Sequence, residues 1–411
     1  MQTRATAGIF SIIAILYCLG FTNLFLRASL GVMAPDLARD LAMEPAVLSA
    51  VASAFFFSYA LMQLPTGIFF DRYGARLTLS AMLAFTAVGT ALFATGQAPG
   101  TLILGRTLMG LGLTGTFTGA FVVMARWLPS DRLVSQIGAM NSFATLGSIA
   151  ATTPFAILIG LIGWRTSYWF FAGVVVLLGI AMALVLRDAP TPEATPATKP
   201  ESIGQAIGGV MEVLRQPHMG RLLVAGIPLA ASGTISGVWG APYLRDVHGL
   251  DIIERGTVLL MMAVCGLAGH FTYGQIARRL NTLRGVVLGC GTASFAATAT
   301  LASFGHPPVA VVAGLFCVLG FACAYPTITY AHARGLVPGH LLGRGVATSN
   351  MGIMTAIAVI QMLFGWVLGH WALGDGSVAE TGYRVAFATQ SLLALLALVI
   401  YFPIKDVRPS G

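Results

Sequence analysis

The chain has 411 residues, of which 56% are hydrophobic and only 9% charged, and its formal net charge is +8. Soluble proteins carry about 25% charged residues, so this chain could not clothe a water-facing surface, and soluble and disordered classes are excluded. Apolar runs of roughly 20 residues recur along its whole length, each long enough to cross a bilayer core of ~30 Å as a helix.

Twelve spans are expected between charged or Pro/Gly-rich breaks. Span 1 covers 8–33. It lacks a small-residue cleavage site and leads straight into further spans, so it reads as a membrane helix and not as a removable signal. Within it, FTNLFLRASLGVMAPDL places the permanently charged Arg27 in an apolar stretch. Spans 2 to 6 cover 47–69, 77–96, 101–125, 134–160 and 164–186. A Pro/Thr/Ala-rich linker, RDAPTPEATPATKPES, follows, and then IGQAIGGVMEVLRQP, a candidate short amphipathic helix. Spans 7 to 12 cover 221–244, 256–278, 285–304, 308–331, 344–369 and 384–403. The fold class is therefore an all-α polytopic membrane protein with twelve transmembrane helices in two six-helix bundles. Its parts are an N-terminal bundle (1–186), a cytoplasmic linker (187–220) and a C-terminal bundle (221–411).

The basic residues set the orientation. With both termini inside, Arg39, Arg165, Arg245, Arg255 and Arg384 lie outside, Arg27 and Arg106 lie within spans, and the other Lys and Arg fall on inner loops and tails. That is the positive-inside bias. It accounts for the net charge without a nucleic-acid partner, which would need the basic residues gathered on one soluble face. The cysteines (Cys18, Cys265, Cys290, Cys317, Cys323) fall inside spans without a CxxC pair and read as packing residues. No metal-ligand spacing, cofactor motif or nucleophile–base constellation is visible, so neither cofactor nor enzymatic activity is expected.

The halves echo each other. The loop after span 2 reads GIFFDRYGARLTL and that after span 8 reads GQIARRLNTLRGV, each beginning with Gly (Gly67, Gly274) and carrying Arg at the sixth position (Arg72, Arg279). This is what a parallel duplication leaves. GIFFDRYGAR resembles the loop 2–3 signature of the major facilitator superfamily, and the resemblance covers essentially the whole chain. It implies two bundles that rock about a central site with alternating access. Gly67, Asp71, Arg72, Gly74 and Arg76 then read as a conformational latch, with close helix approach at the two glycines. A narrower likeness runs through R-x7-P (Arg27, Pro35), SAFFFSYALMQLPTG, GRTLMGLG, ARWLP, N-S-F-A-T-L-G with Pro154, and GWR. This series is similar to the anion:cation symporters and, at Arg27, the organophosphate antiporters, whose span 1 arginine contacts a small organic anion. The chain departs from the symporters at Leu26 and Leu113, where they keep the acids that carry protons.

No carboxylate falls inside a predicted span. Charge at mid-membrane costs roughly 2.5–3.5 kcal/mol on insertion scales, so Arg27 is expected to meet water, backbone carbonyls or a bound anion, and its fork suits carboxylate or phosphate. Arg106 in span 4 is a candidate second arm of a two-arginine clamp. Further candidates are Asn23, four residues before Arg27; Tyr59 and Gln63, which share a face of span 2; Asn141; Trp239 and Tyr243; Tyr325 beside Pro326; and Gln361. His270 and His332 are the candidates for proton coupling, since imidazole titrates near neutral pH.

The expected function is secondary transport of a small organic anion by alternating access, proton-coupled or by exchange, in a monomer of the bacterial inner membrane whose partners are the substrate and the bilayer. The alternative is an exporter of amphiphilic compounds such as drugs or siderophores.

Overall fold

The computed structural model of the chain describes residues 2–188, 203–373 and 376–408, so most of the linker expected at 187–220 lies outside the described residues. Ten helical rods among them are long and apolar enough to cross a membrane. Two of these rods, Pro45–Thr95 and Thr153–Val185, contain a glycine in the left-handed region, Gly74 (φ 75°) and Gly163 (φ 77°). Only glycine adopts that conformation without strain, so each marks the end of one helix and the start of the next. Divided there, the rods are consistent with the twelve expected spans. The amphipathic helix after the linker is present at Ile203–Leu214, with Val210 and Val213 buried and Ile207 and Met211 exposed.

Packing within the halves repeats. Span 1 packs on span 5 as span 7 packs on span 11, span 3 on span 6 as span 9 on span 12, and the rod carrying span 2 on span 4 as span 8 on span 10. The loops repeat as well. The Arg76 amide donates to Asp188 Oδ1 at 2.9 Å where span 3 begins, and the Arg284 amide donates to Asp406 Oδ1 at 3.0 Å where span 9 begins. Each carboxylate comes from the end of the last span of its own half, so each bundle closes on itself at the end that carries the termini. Burial pushes the Asp406 carboxyl up, but hydrogen bonds from Thr282, Arg284 and Val407 outweigh it and hold the group below the usual carboxylate range.

The two halves meet at the opposite end. Span 2 lies along span 11, where Ser49 Oγ donates to the Gln361 carbonyl (2.8 Å) and Ser53 Oγ to the Ala358 carbonyl (3.0 Å). Arg245 Nη1 reaches the Pro35 carbonyl (3.1 Å), and Arg255 pairs with Asp36 at 3.6 Å. Gly31 of span 1 abuts the Ser236 carbonyl of span 7 so closely that no side chain fits between them. Arg39 and Arg165 join the same end through Asp36 and Asp40, so four of the five arginines expected outside cluster at one pole.

Candidate functional site

Spans 1, 4, 7 and 10 are all interrupted. Span 1 is split into Gln2–Ala28 and Leu30–Asp40, and span 4 into Pro99–Leu113 and Thr116–Trp127. Span 7 breaks between Met219–Val224 and Gly226–Thr234 and then runs through a π-helical turn, Ile235–Trp239. Span 10 divides into Val309–Ala322 and Pro326–Leu336, because Pro326 has no amide hydrogen to continue the first helix. A break frees backbone carbonyls, and inside a bilayer each must find a donor.

Several side chains that the sequence nominated for substrate are those donors. Arg106, wholly buried, gives Nη1 to the Leu26 carbonyl (2.9 Å) beside the span 1 break, and its guanidinium lies 4.7 Å from the Phe55 ring centroid. Asn23 gives Nδ2 to the Leu113 carbonyl (2.7 Å) at the span 4 break. Tyr325 donates to the Ala225 carbonyl (2.7 Å), between two segments of span 7, and Gln361 to the Gly233 carbonyl (3.1 Å), just before the π turn. The backbone oxygens of Leu26 and Leu113, where the resembling symporters keep acids, are thus occupied by Arg106 and Asn23.

Trp239 and Tyr243 also leave the site. Trp239 is buried with Nε1 on Ser49 Oγ (3.0 Å), in the contact between the halves. Tyr243 packs edge-on against Tyr383 and Phe387, inside the C-terminal bundle. His332 is fully buried, with Nδ1 on Tyr401 Oη (2.9 Å) and Nε2 on the Lys405 carbonyl (2.8 Å). Both its nitrogens are held within one bundle, so it reads as a structural histidine.

Arg27 is placed differently. It is half-buried and faces the space between the bundles. Among the described residues it has neither a hydrogen-bond nor an ion-pair partner, and its guanidinium lies 5.1 Å from the Phe56 ring centroid. Phe56, Tyr59 and Gln63 lie three and four residues apart, on one face of span 2. Tyr59 is a near electrostatic neighbour of Arg27, with Asn23 beside it, while Gln63 is half-buried and has no hydrogen-bond partner among the described residues. From the other half, Tyr330 approaches the same charge, its hydroxyl fixed on Asn350 Oδ1 at 2.7 Å. Sequence reasoning missed Tyr330 and Asn350. The available signals were a tyrosine one turn past Pro326 and an asparagine inside span 11, in a half that offered no motif.

Beside Arg27, starting at Ala28, a cavity of about 160 Å³ runs between the bundles. By the room one water needs it holds on the order of ten. Thr145, Ser148 and Thr152 of span 5, Ser232 and Ser236 of span 7, and Cys323 and His270 supply its polar lining. Asn141 is exposed one turn before Thr145 and continues the polar stripe of span 5. Among the described residues no Asp, Glu or Lys lines the cavity.

The latch residues are only partly gathered. Gly74 meets the Asp188 carboxylate, with a built Cβ 2.7 Å from Oδ2, and Arg76 Nε reaches the Ala183 carbonyl (2.8 Å). Asp71 and Arg72 are exposed, and Arg72 lies over the Tyr73 ring. Gly67, expected at a close helix approach, has nothing within 4 Å of a built Cβ, because in this arrangement the two halves touch at the opposite end.

The family model described as Major Facilitator Superfamily matches residues 16–359. Among curated relatives, a protein of Agrobacterium vitis provisionally named a tartrate transporter is 22% identical, over 89% of this chain and 84% of its own length. A protein of Cupriavidus necator provisionally named a sulfoacetate transporter is 24% identical, over 95% and 93%. One of Escherichia coli provisionally named a galactarate/D-glucarate transporter is 21% identical, over 98% and 97%. Among solved structures, the nucleoside transporter NupG superposes with a TM-score of 0.77 at 15% identity, covering 96% of this chain and all of that one. A bacterial homologue of the lysosomal transporter Spinster, solved inward-facing and occupied, gives 0.75 at 15%, covering 95% of each. At these identities the structures speak for the fold.

Proposed function

We propose, from the premise that this chain belongs to the Major Facilitator Superfamily, that it carries a small organic anion across the membrane by alternating access, with Arg27 as the residue that receives the anion. The protein is a multi-pass membrane carrier and not an enzyme. The observation that carries the anion reading is Arg27 itself, a guanidinium open to the space between the bundles that neither carboxylate nor carbonyl satisfies among the described residues. Guanidinium binds carboxylates bidentately, and the relatives' names run to tartrate, sugar diacids and sulfoacetate. Tyr59, Gln63, Tyr330 and Asn350 complete the polar surround, and the serines and threonines of the cavity suit a hydroxylated substrate. An exporter of amphiphilic compounds is not favoured, since the relatives' names run to organic acids and no carboxylate lines the cavity among the described residues.

The state described has its closed end at Asp36 and Arg255. With both termini in the cytoplasm of a bacterial cell this is an inward-facing monomer, and the exposed Asp71 and Arg72 are a latch that engages when the cytoplasmic side closes.

The test is a thermal-shift screen of the purified protein with tartrate, D-glucarate and sulfoacetate against lipophilic cations, followed by Arg27→Gln. Stabilisation by at least one acid, lost in the variant, is the expected result. Stabilisation by the cations alone, or an Arg27→Gln protein that transports normally, refutes the proposal.

A further inference from the structure

The anion reading leaves the driving force open, because the acids that would carry protons in the resembling symporters are Leu26 and Leu113 here, both buried among apolar groups. His270 is the titratable group whose position fits that task. It lies on the face of span 8 that lines the cavity, four residues after Gly266 and eight after Met262, which line it too. Ala28, next to Arg27 in span 1, lines the same cavity from the other bundle, so the Arg27 charge sits across that space from the imidazole. Of the other elements packed on span 8, the corner of span 10 presents the Cys323 thiol and the Ala324 backbone, span 5 presents Thr145, Ser148 and Thr152, span 7 presents Ser232 and Ser236, and span 9 presents nothing to the cavity.

We infer that His270 is the proton-coupling site of this carrier, and that it acts through the occupancy of Arg27. This rests on the anion reading of Arg27. Two cations facing each other across the space between the bundles repel. While Arg27 is empty the imidazole therefore stays neutral. A carboxylate bound to Arg27 cancels that charge, and the imidazole takes one proton from the aqueous side to which the cavity is open. When the carrier has turned and the anion leaves, the repulsion returns and the same proton passes to water on the other side. One proton thus crosses with each anion, and no other group changes its protonation. Linkage is reciprocal: a protonated His270 tightens anion binding by the factor that a bound anion favours the proton. The coupling lies between the bundles, with Arg27 on one and His270 on the other, so it is made and broken by the motion that changes access.

The experiment uses the full chain in proteoliposomes, with radiolabelled tartrate, D-glucarate and sulfoacetate as probes and the membrane potential clamped at zero. For one proton per anion, a pH gradient of one unit drives about a tenfold accumulation. In His270→Gln the accumulation ratio should fall to one while anion-for-anion exchange persists, and the dependence of binding on pH should disappear. His270→Glu, which restores a titrating group, should recover gradient-driven accumulation with its pH profile displaced to the acid side. A His270→Gln carrier that still accumulates anion under the gradient overturns the inference and leaves the Arg27 reading intact. Loss of exchange together with accumulation also overturns it, since His270 would then serve binding or folding. A wild-type protein that exchanges none of the acids overturns both readings.

Discussion

The Arg106 guanidinium donates to the Leu26 carbonyl at 2.9 Å, one residue before Arg27 and beside the break in span 1. Two arginines nominated together for one anion are placed differently: one donates to the backbone, the other faces the space between the bundles. Arg106→Leu should lower stability by about 1 kcal/mol, the net worth of a buried hydrogen bond in a membrane setting, read as a lower unfolding temperature without ligand. Arg27→Gln should leave that temperature unchanged, because Arg27 has no hydrogen-bonded partner among the described residues to lose. It should instead weaken anion binding by roughly 10- to 100-fold, the worth of a charge-assisted contact. Ligand-free and ligand-bound unfolding curves of the two variants separate the roles.

This division explains which parts of the molecule the sequence made legible. Length and hydropathy sufficed for an all-helical, multi-pass fold, because lipid leaves a spanning backbone few alternatives to the helix. The site was harder. Inside a bilayer a polar side chain has two common uses, binding a substrate and donating to a carbonyl freed by a helix break. Asn23, Tyr325 and Gln361 fit either use by spacing alone. Only the positions of the breaks at Leu113–Thr116, Ala225 and Ile235 show the carbonyls that they meet. Tyr330 and Asn350 had the opposite fate. Their hydrogen bond joins spans 10 and 11, a pairing that no local pattern predicts.

Tyr330 tests the C-terminal half of the site. Tyr330→Phe removes a hydroxyl held on Asn350 Oδ1 next to the Arg27 charge. Anion affinity should fall about 3- to 10-fold, the range of one neutral hydrogen bond, with the ligand-free unfolding temperature little changed. Asn350→Leu should give a similar loss, and the double variant should lose less than the sum, as two members of one network do. Strict additivity in the binding titrations would separate Tyr330 from Asn350 and count against a shared role.

The paired carboxylates Asp188 and Asp406 give a prediction about pH. Replacing either by Ala removes the acceptor of a helix-start amide and should cost about 1 kcal/mol. Hydrogen bonds from Thr282, Arg284 and Val407 hold the Asp406 carboxyl below the usual carboxylate range. Its stabilisation is therefore fully present above the unfolded-state value and is lost as the pH falls through the lower folded-state value. The gap in unfolding temperature between the wild type and Asp406→Asn should stay constant around neutrality and close on strong acidification. Gly74→Ala should cost more than a cap, because it combines a left-handed φ with a Cβ 2.7 Å from the Asp188 carboxylate.

Gly31 and Gly365 set how tightly the halves can meet at the closed end. Gly31 abuts the Ser236 carbonyl, and Gly365 abuts the Ser49 side chain and the Pro45 carbonyl, so spans 1 and 7 and spans 2 and 11 approach at their backbones. Backbone carbonyls cannot swing aside as a long side chain can, so a branched residue at Gly31 must hold the seam open. In a carrier with two access states, whatever raises the energy of one populates the other. Gly31→Val should therefore deplete the state in which Arg255 and Asp36 pair at 3.6 Å. With cysteines in place of Asp36 and Arg255, the disulfide yield should drop at least about tenfold in the Gly31→Val background, corresponding to a shift of some 1.4 kcal/mol. Gly289→Val, where a built Cβ meets nothing within 4 Å, serves as the control and should leave the yield as it was. Equal cross-linking in both backgrounds would mean that the contact at Gly31 does not govern closure.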